Sequence, residues 1–198
     1  MPLYDEFKTL ALPAAGHWQK KKSNVPRYHF GKGAKRDFSW YFEGASKIKV
    51  TNVTDVCKWL SRCKYVSDDE LFLEDDFWQH PVTFEHLRKG DCEDHALWAW
   101  RKLKEIGVSA EFVCGRWLER KDGEIIETGH AWVNVRQPGN QSWEVLECTD
   151  KNIKSMIVGL KDAEKMYFPE VAIDGELSTY RFTIAHTKRR KAAGRKKV

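Results

Sequence analysis

The 198-residue chain predicts an α+β fold, a helix opening at Cys92 packed on an antiparallel β-sheet, and three observations carry that reading. Cys92, Ala96, Ala99, Trp100, Leu103 and Ile106 recur at the three- and four-residue steps of one helical face, with Gly107 as the stop. The runs 129–135 and 142–149 are rich in strand formers, and Pro138 and Gly139 mark a turn between them, so the two should form a hairpin. Asp122 and Gly123 give a second turn signal, leading from a strand over residues 110–119 into the strand that carries His130.

Along the chain, residues 1–49 mix aromatic side chains with basic ones such as Lys20, Lys21 and Lys22 without a clear period, and read as an arm packed on a domain of residues 50–187. Residues 54–65 predict a helix capped by Thr54 or Asp55, with Cys57 and Cys63 on its apolar side as packing residues. Gly90 and Asp91 supply the start of the next helix. With Asp91 as the N-cap, Cys92 occupies the first helical position, where unpaired amides and the helix dipole favour a thiolate. Glu93 and Asp94 repel that charge, so a histidine partner is expected, and His130 is the candidate.

Register supplies the rest. A turn centred on Asp122 and Gly123 sets Gly115 opposite His130, where a missing side chain leaves room for substrate or the thiol, or marks a bulge. A turn centred on Pro138 and Gly139 sets Glu147 opposite His130 on the same face, about 4.5–5.5 Å away at Cβ, close enough to orient an imidazole. Asp150, the other acid, would project from the opposite face or lie beyond the strand, and a one-residue bulge in the hairpin would reverse the choice. A late strand over residues 180–186 completes the sheet.

Gly90-Asp91-Cys92-Glu93-Asp94 with Ala96, then Gly129-His130-Ala131-Trp132, then Leu146-Glu147-Cys148-Thr149, resemble the transglutaminase-like superfamily, and most of all its bacterial cysteine-proteinase branch. Residues 56–65 and the run Asp76-Phe77-Trp78-Gln79-His80-Pro81 resemble the family's lead-in, so the likeness spans about residues 50–150. It implies a papain-like core and a Cys, His, acid triad of Cys92, His130 and Glu147, with Glu147 standing where the family usually has Asp. It also implies acyl transfer at an amide bond through a thioester, resolved by water in a peptide or isopeptide hydrolase, or by a lysine amine in a transglutaminase. A noncatalytic interaction module that keeps the fold is the third reading. Family members place oxyanion donors upstream of the cysteine, which makes Trp78 and Gln79 candidates beside the Cys92 amide.

Composition narrows the class. Hydrophobic residues make up 41% of the chain and there are nine tryptophans, enough for a core, which excludes global disorder. Five cysteines, an odd number, with no signal-like N-terminus and no apolar run near 18 residues, predict free thiols in a reducing cytoplasm and no membrane span. A zinc set of His95 with Cys92, Cys114 and Cys148 lacks the paired spacing such sites use, so no metal or cofactor is expected. Residues 188–198 hold seven of the 34 basic residues and no acid; the remainder has 27 basic and 29 acidic residues, a net of −2 in place of +5. That tail is expected to be a solvated extension or a contact for nucleic acid or another polyanion. The other partner is a protein or peptide substrate.

Overall fold

Two long strands organise the molecule. In the computed structural model, which describes residues 18–121 and 124–184, β4 (Ser109–Lys121) and β5 (Glu124–Arg136) pair antiparallel along their whole length. Around them a seven-stranded sheet runs in the order β1-β9-β8-β4-β5-β6-β7, with β1 at Trp18–Lys22, β6 at Glu144–Leu146, β7 at Ile157–Gly159, β8 at Tyr167–Asp174 and β9 at Thr179–Ile184. A parallel pair, β2 (Lys64–Tyr65) with β3 (Lys89–Gly90), stands apart. Phe112, Ala131, Val133, Val135 and Leu146 face one side of the large sheet. Val113, Trp132, Val145 and Ala172 face the other.

The first side is covered by α4 (Cys92–Glu105) through Ala96, Ala99, Trp100 and Leu103. Further helices flank it: α1 (Val53–Leu60), α2 (Asp68–Phe72) and α3 (Pro81–Leu87), with a short α5 (Leu160–Ala163) beyond β7. Because helices enclose α4 on several sides, polar as well as apolar residues of its first three turns are buried, and each needs a partner. Arg101 donates to the carbonyls of Glu43 at 2.7 Å and Gly44 at 2.5 Å, and Lys102 reaches Ile48 O at 2.6 Å and Glu105 at 2.9 Å. These two cations tie residues 43–48 to the helix. Trp59 of α1 stacks on Trp98 with centroids 3.9 Å apart. No helix among the described residues is long and apolar enough to cross a membrane.

Several expectations shift. The helix expected over residues 54–65 ends at Leu60, and its N-cap is Asn52, whose side chain accepts from the Asp55 N–H at 2.9 Å. The sheet gains β1 from the N-terminal arm and β8 from a segment that gave no strand signal, while the late strand starts one residue early at Thr179. Residues 185 and 186 and the basic tail lie outside the described residues. Gly115 does pair with His130, but a Cβ there would lie 2.2 Å from the carbonyl oxygen of Phe168. Its bareness therefore admits the backbone of β8, where the ladder is interrupted by a bulge between Cys114 and Gly115, and makes no room for substrate or thiol.

Candidate active site

Cys92 is the first residue of α4, with Asp91 as the N-cap by position, although the Asp91 side chain makes no capping hydrogen bond. No partner among the described residues takes the Cys92 backbone N–H. Cys92 is the one partly exposed cysteine of the five; Cys57, Cys63, Cys114 and Cys148 are buried. Its thiol lies 3.6 Å from Glu93 Oε2. Burial, and then the Asp91 carboxylate, push the thiol well above its ordinary pKa, against the backbone N–H of Ala131, which favours the thiolate. The lowering expected from the helix start is thus outweighed. Contact with Ala131 sets the sulfur beside the residue that follows His130; no hydrogen bond joins Cys92 to His130 itself.

His130 and Glu147 meet by a route the turn did not announce. The ladder pairs Val133 with Leu146 and Val135 with Glu144, two positions away from the expected register, because the connection between β5 and β6 is longer than a two-residue turn. A shift of two keeps the face while moving the partner along the strand. Glu147, just past the end of β6, therefore meets His130 diagonally, with Oε2 2.8 Å from Nε2 and both side chains about one-eighth exposed. Three further donors converge on the carboxylate: Thr149 N at 2.9 Å and Thr149 Oγ1 at 2.6 Å on Oε1, and the Tyr167 hydroxyl at 2.9 Å on Oε2. Burial acts to raise Glu147, but the His130 hydrogen bond and charge, with the Thr149 donors, prevail and bring it down to about 2. Beside this pair opens a cavity of about 740 Å³ lined by Tyr65, Trp117, His130, Glu147 and Tyr167 among others.

The other candidates are held elsewhere. Asp150 borders the cavity, but its carboxylate accepts from Asn152 N at 2.9 Å and Ser155 Oγ at 2.5 Å. The Trp78 indole donates to Asp76 at 2.7 Å, and the Gln79 side-chain amide donates to Lys89 O at 2.9 Å and to Asp94. Both donors are engaged in holding the approach to α4. His95 is fully buried, with Nδ1 2.6 Å from Asp91 O and Nε2 3.4 Å from Lys151 Nζ, and burial and the Lys151 charge take it down to about 3, so it is neutral. It forms no ligand group with Cys92, Cys114 and Cys148 among the described residues.

One further cluster gave no signal as a whole in the sequence. Asp68, Asp91, Glu93 and Asp94 bring a carboxylate oxygen each within 4.8 Å of one another at the start of α4. Asp68 Oδ1, Asp91 Oδ1 and Glu93 Oε1 are buried without a hydrogen-bond partner. Burial, with their mutual repulsion, raises all four, Asp68 to about 6. The Asp-Cys-Glu-Asp run was visible, but Asp68 is 23 residues upstream and joins it only because β2 pairs with β3.

Cys92 thus opens the helix packed on the antiparallel sheet, with His130 on β5 and Glu147 just past the end of β6. The model of the transglutaminase-like superfamily matches residues 39–148, more than half of the chain, and the chain belongs to that superfamily. Solved structures similar to it include Legionella pneumophila LapG in a calcium-bound form, at 19% identity and TM-score 0.47 over 79% of this chain and 82% of that one. EGTA-treated LapG is similar at 19% identity and TM-score 0.44 over 61% of each chain, so this chain spans less than two thirds of its length. No curated protein matches.

Proposed function

We propose that the chain is a thiol-dependent enzyme that hydrolyses a peptide or isopeptide bond through a Cys92 thioester. The observation that carries the reading is the 2.8 Å contact between His130 Nε2 and Glu147 Oε2 beside the start of the Cys92 helix. A carboxylate held by three other donors fixes the imidazole and stabilises its protonated form, and with Nε2 taken, Nδ1 is the nitrogen that serves the thiol. His130 takes the Cys92 proton as the sulfur attacks the carbonyl carbon and the carbonyl electron pair moves to oxygen. On collapse the C–N bond breaks and the imidazolium gives its proton to the departing amine. Water, activated by the same imidazole, then releases the acid and restores the thiol.

The acidic group at the helix start supports a bound hard divalent cation such as calcium or magnesium. Every ligand atom it offers is a carboxylate oxygen, and Asp68 and Glu93, 3% and 5% exposed, each hold one oxygen without a partner. A dication there would supply the positive charge that lets Asp68, Asp91, Glu93 and Asp94 stay ionised at close range.

Labelling with a peptide-like thiol electrophile, followed by mass-spectrometric mapping, tests the enzymatic reading: the adduct should sit on Cys92. Turnover in the presence of an added primary amine separates the two acyl acceptors, since incorporation of the amine into product would replace hydrolysis by transglutamination.

A further inference from the structure

The tetrahedral intermediate needs more than one donor for its oxyanion, and the structure leaves the second unassigned, because the Trp78 and Gln79 donors are engaged by Asp76, Lys89 and Asp94. Another group is better placed. Tyr65 lies on β2 opposite Gly90 of β3, and Gly90 is two residues before Cys92, so the ladder fixes the tyrosine beside the nucleophile. Its side chain borders the cavity shared with His130 and Glu147. The ring lies alongside the buried His95, with centroids 6.4 Å apart and planes inclined by 26°. It is half exposed.

Resting on the reading of Cys92 as nucleophile, we propose that the Tyr65 hydroxyl donates a hydrogen bond to the oxyanion that forms when the Cys92 sulfur attacks, beside the Cys92 backbone N–H. The Sγ–C bond forms while the carbonyl electron pair moves onto oxygen. Tyr65 keeps its proton throughout, and the proton needed by the leaving amine comes from His130. A tyrosine hydroxyl suits this task because the ring that carries it is rigid and it offers one directed O–H.

Tyr65→Phe deletes the hydroxyl and keeps the stack on His95, so thermal melting should match the parent. Two thiol reagents then separate the step of interest. An N-acetyl dipeptide aldehyde adds to the thiol to give a tetrahedral hemithioacetal whose oxygen occupies the oxyanion position; iodoacetamide alkylates the same sulfur by displacement, with no such oxygen formed. Tyr65→Phe should weaken aldehyde binding at least about tenfold, and lower kcat on an amide substrate by about 10²–10³ with little change in KM, while the iodoacetamide rate at Cys92 stays the same. Equal aldehyde affinity in parent and variant overturns the assignment of Tyr65. Iodoacetamide labelling of another cysteine in preference to Cys92 in the parent defeats instead the nucleophile on which it rests.

Discussion

His130 Nε2 and Glu147 Oε2 lie 2.8 Å apart although the two residues are not cross-strand partners. The carboxylate belongs to the residue just past β6, where Thr149 and Tyr167 hold it in place. Its task would be to orient the ring and balance the imidazolium, which makes its charge the quantity to remove.

Glu147→Gln keeps the shape and loses the charge. The fall should appear mainly in kcat, by about 10²–10⁴, since the comparable change in a serine protease triad costs about 10⁴. Asp150→Asn, whose parent carboxylate is engaged by Asn152 and Ser155, should leave kcat within a few-fold. A crippled Asp150→Asn beside a near-normal Glu147→Gln would reverse the choice of acid.

The same carboxylate makes stability depend on pH in a definite direction. Its folded pKa is depressed to about 2 from an ordinary 4.5, so its contribution is complete above about pH 4.5 and drains away as the pH falls toward 2. The shift corresponds to about 3 kcal/mol. Urea unfolding at pH 6 and at pH 2.5 should therefore show a larger loss for the parent than for Glu147→Gln; parallel losses would mean that the ion pair contributes no stability.

Calcium at a hundredfold excess over its Kd should stabilise the folded chain by about 2.7 kcal/mol, raising Tm by roughly 5–10 °C, and EGTA should reverse the shift. Asp68→Asn removes one carboxylate charge at α2 without touching the α4 start. It should abolish most of the shift. An equal rise in parent and variant would remove Asp68 from the site.

Gly115→Ala would press a methyl group against the Phe168 carbonyl and the Pro169 backbone, at 2.2 and 2.9 Å. Neither neighbour is a flexible side-chain end, so the β4–β8 ladder must give way, at a cost of about 3 kcal/mol. A variant as stable as the parent would show that the bulge has room to spare.

What the sequence disclosed follows from what is local. The Cys92 helix was legible because apolar spacing, Gly90-Asp91 and Gly107 are signals within one segment, and the β4–β5 register because Asp122-Gly123 is a strong turn signal in the sequence. The β5–β6 connection is longer, so its centre could not be counted from Pro138 and Gly139; Glu147 kept the right face only because the error was an even number. β1 and β8 were missed since lysines dominate the first and the second lies among charged residues without alternation. Asp68 and Tyr65 reach the Cys92 neighbourhood through the β2–β3 pair, a contact between segments more than 20 residues apart that no local pattern announces.

In the proposed reaction Cys92 gives its proton to His130. The most direct measurement is the rate and position of modification by a peptide-like thiol electrophile, mapped by mass spectrometry in the parent and in His130→Ala, both shown to be folded. A single adduct on Cys92 is expected in the parent, with labelling slower by at least about tenfold in the variant. Modification of a buried cysteine in preference to Cys92, or equal rates at Cys92 with and without the imidazole, would contradict it.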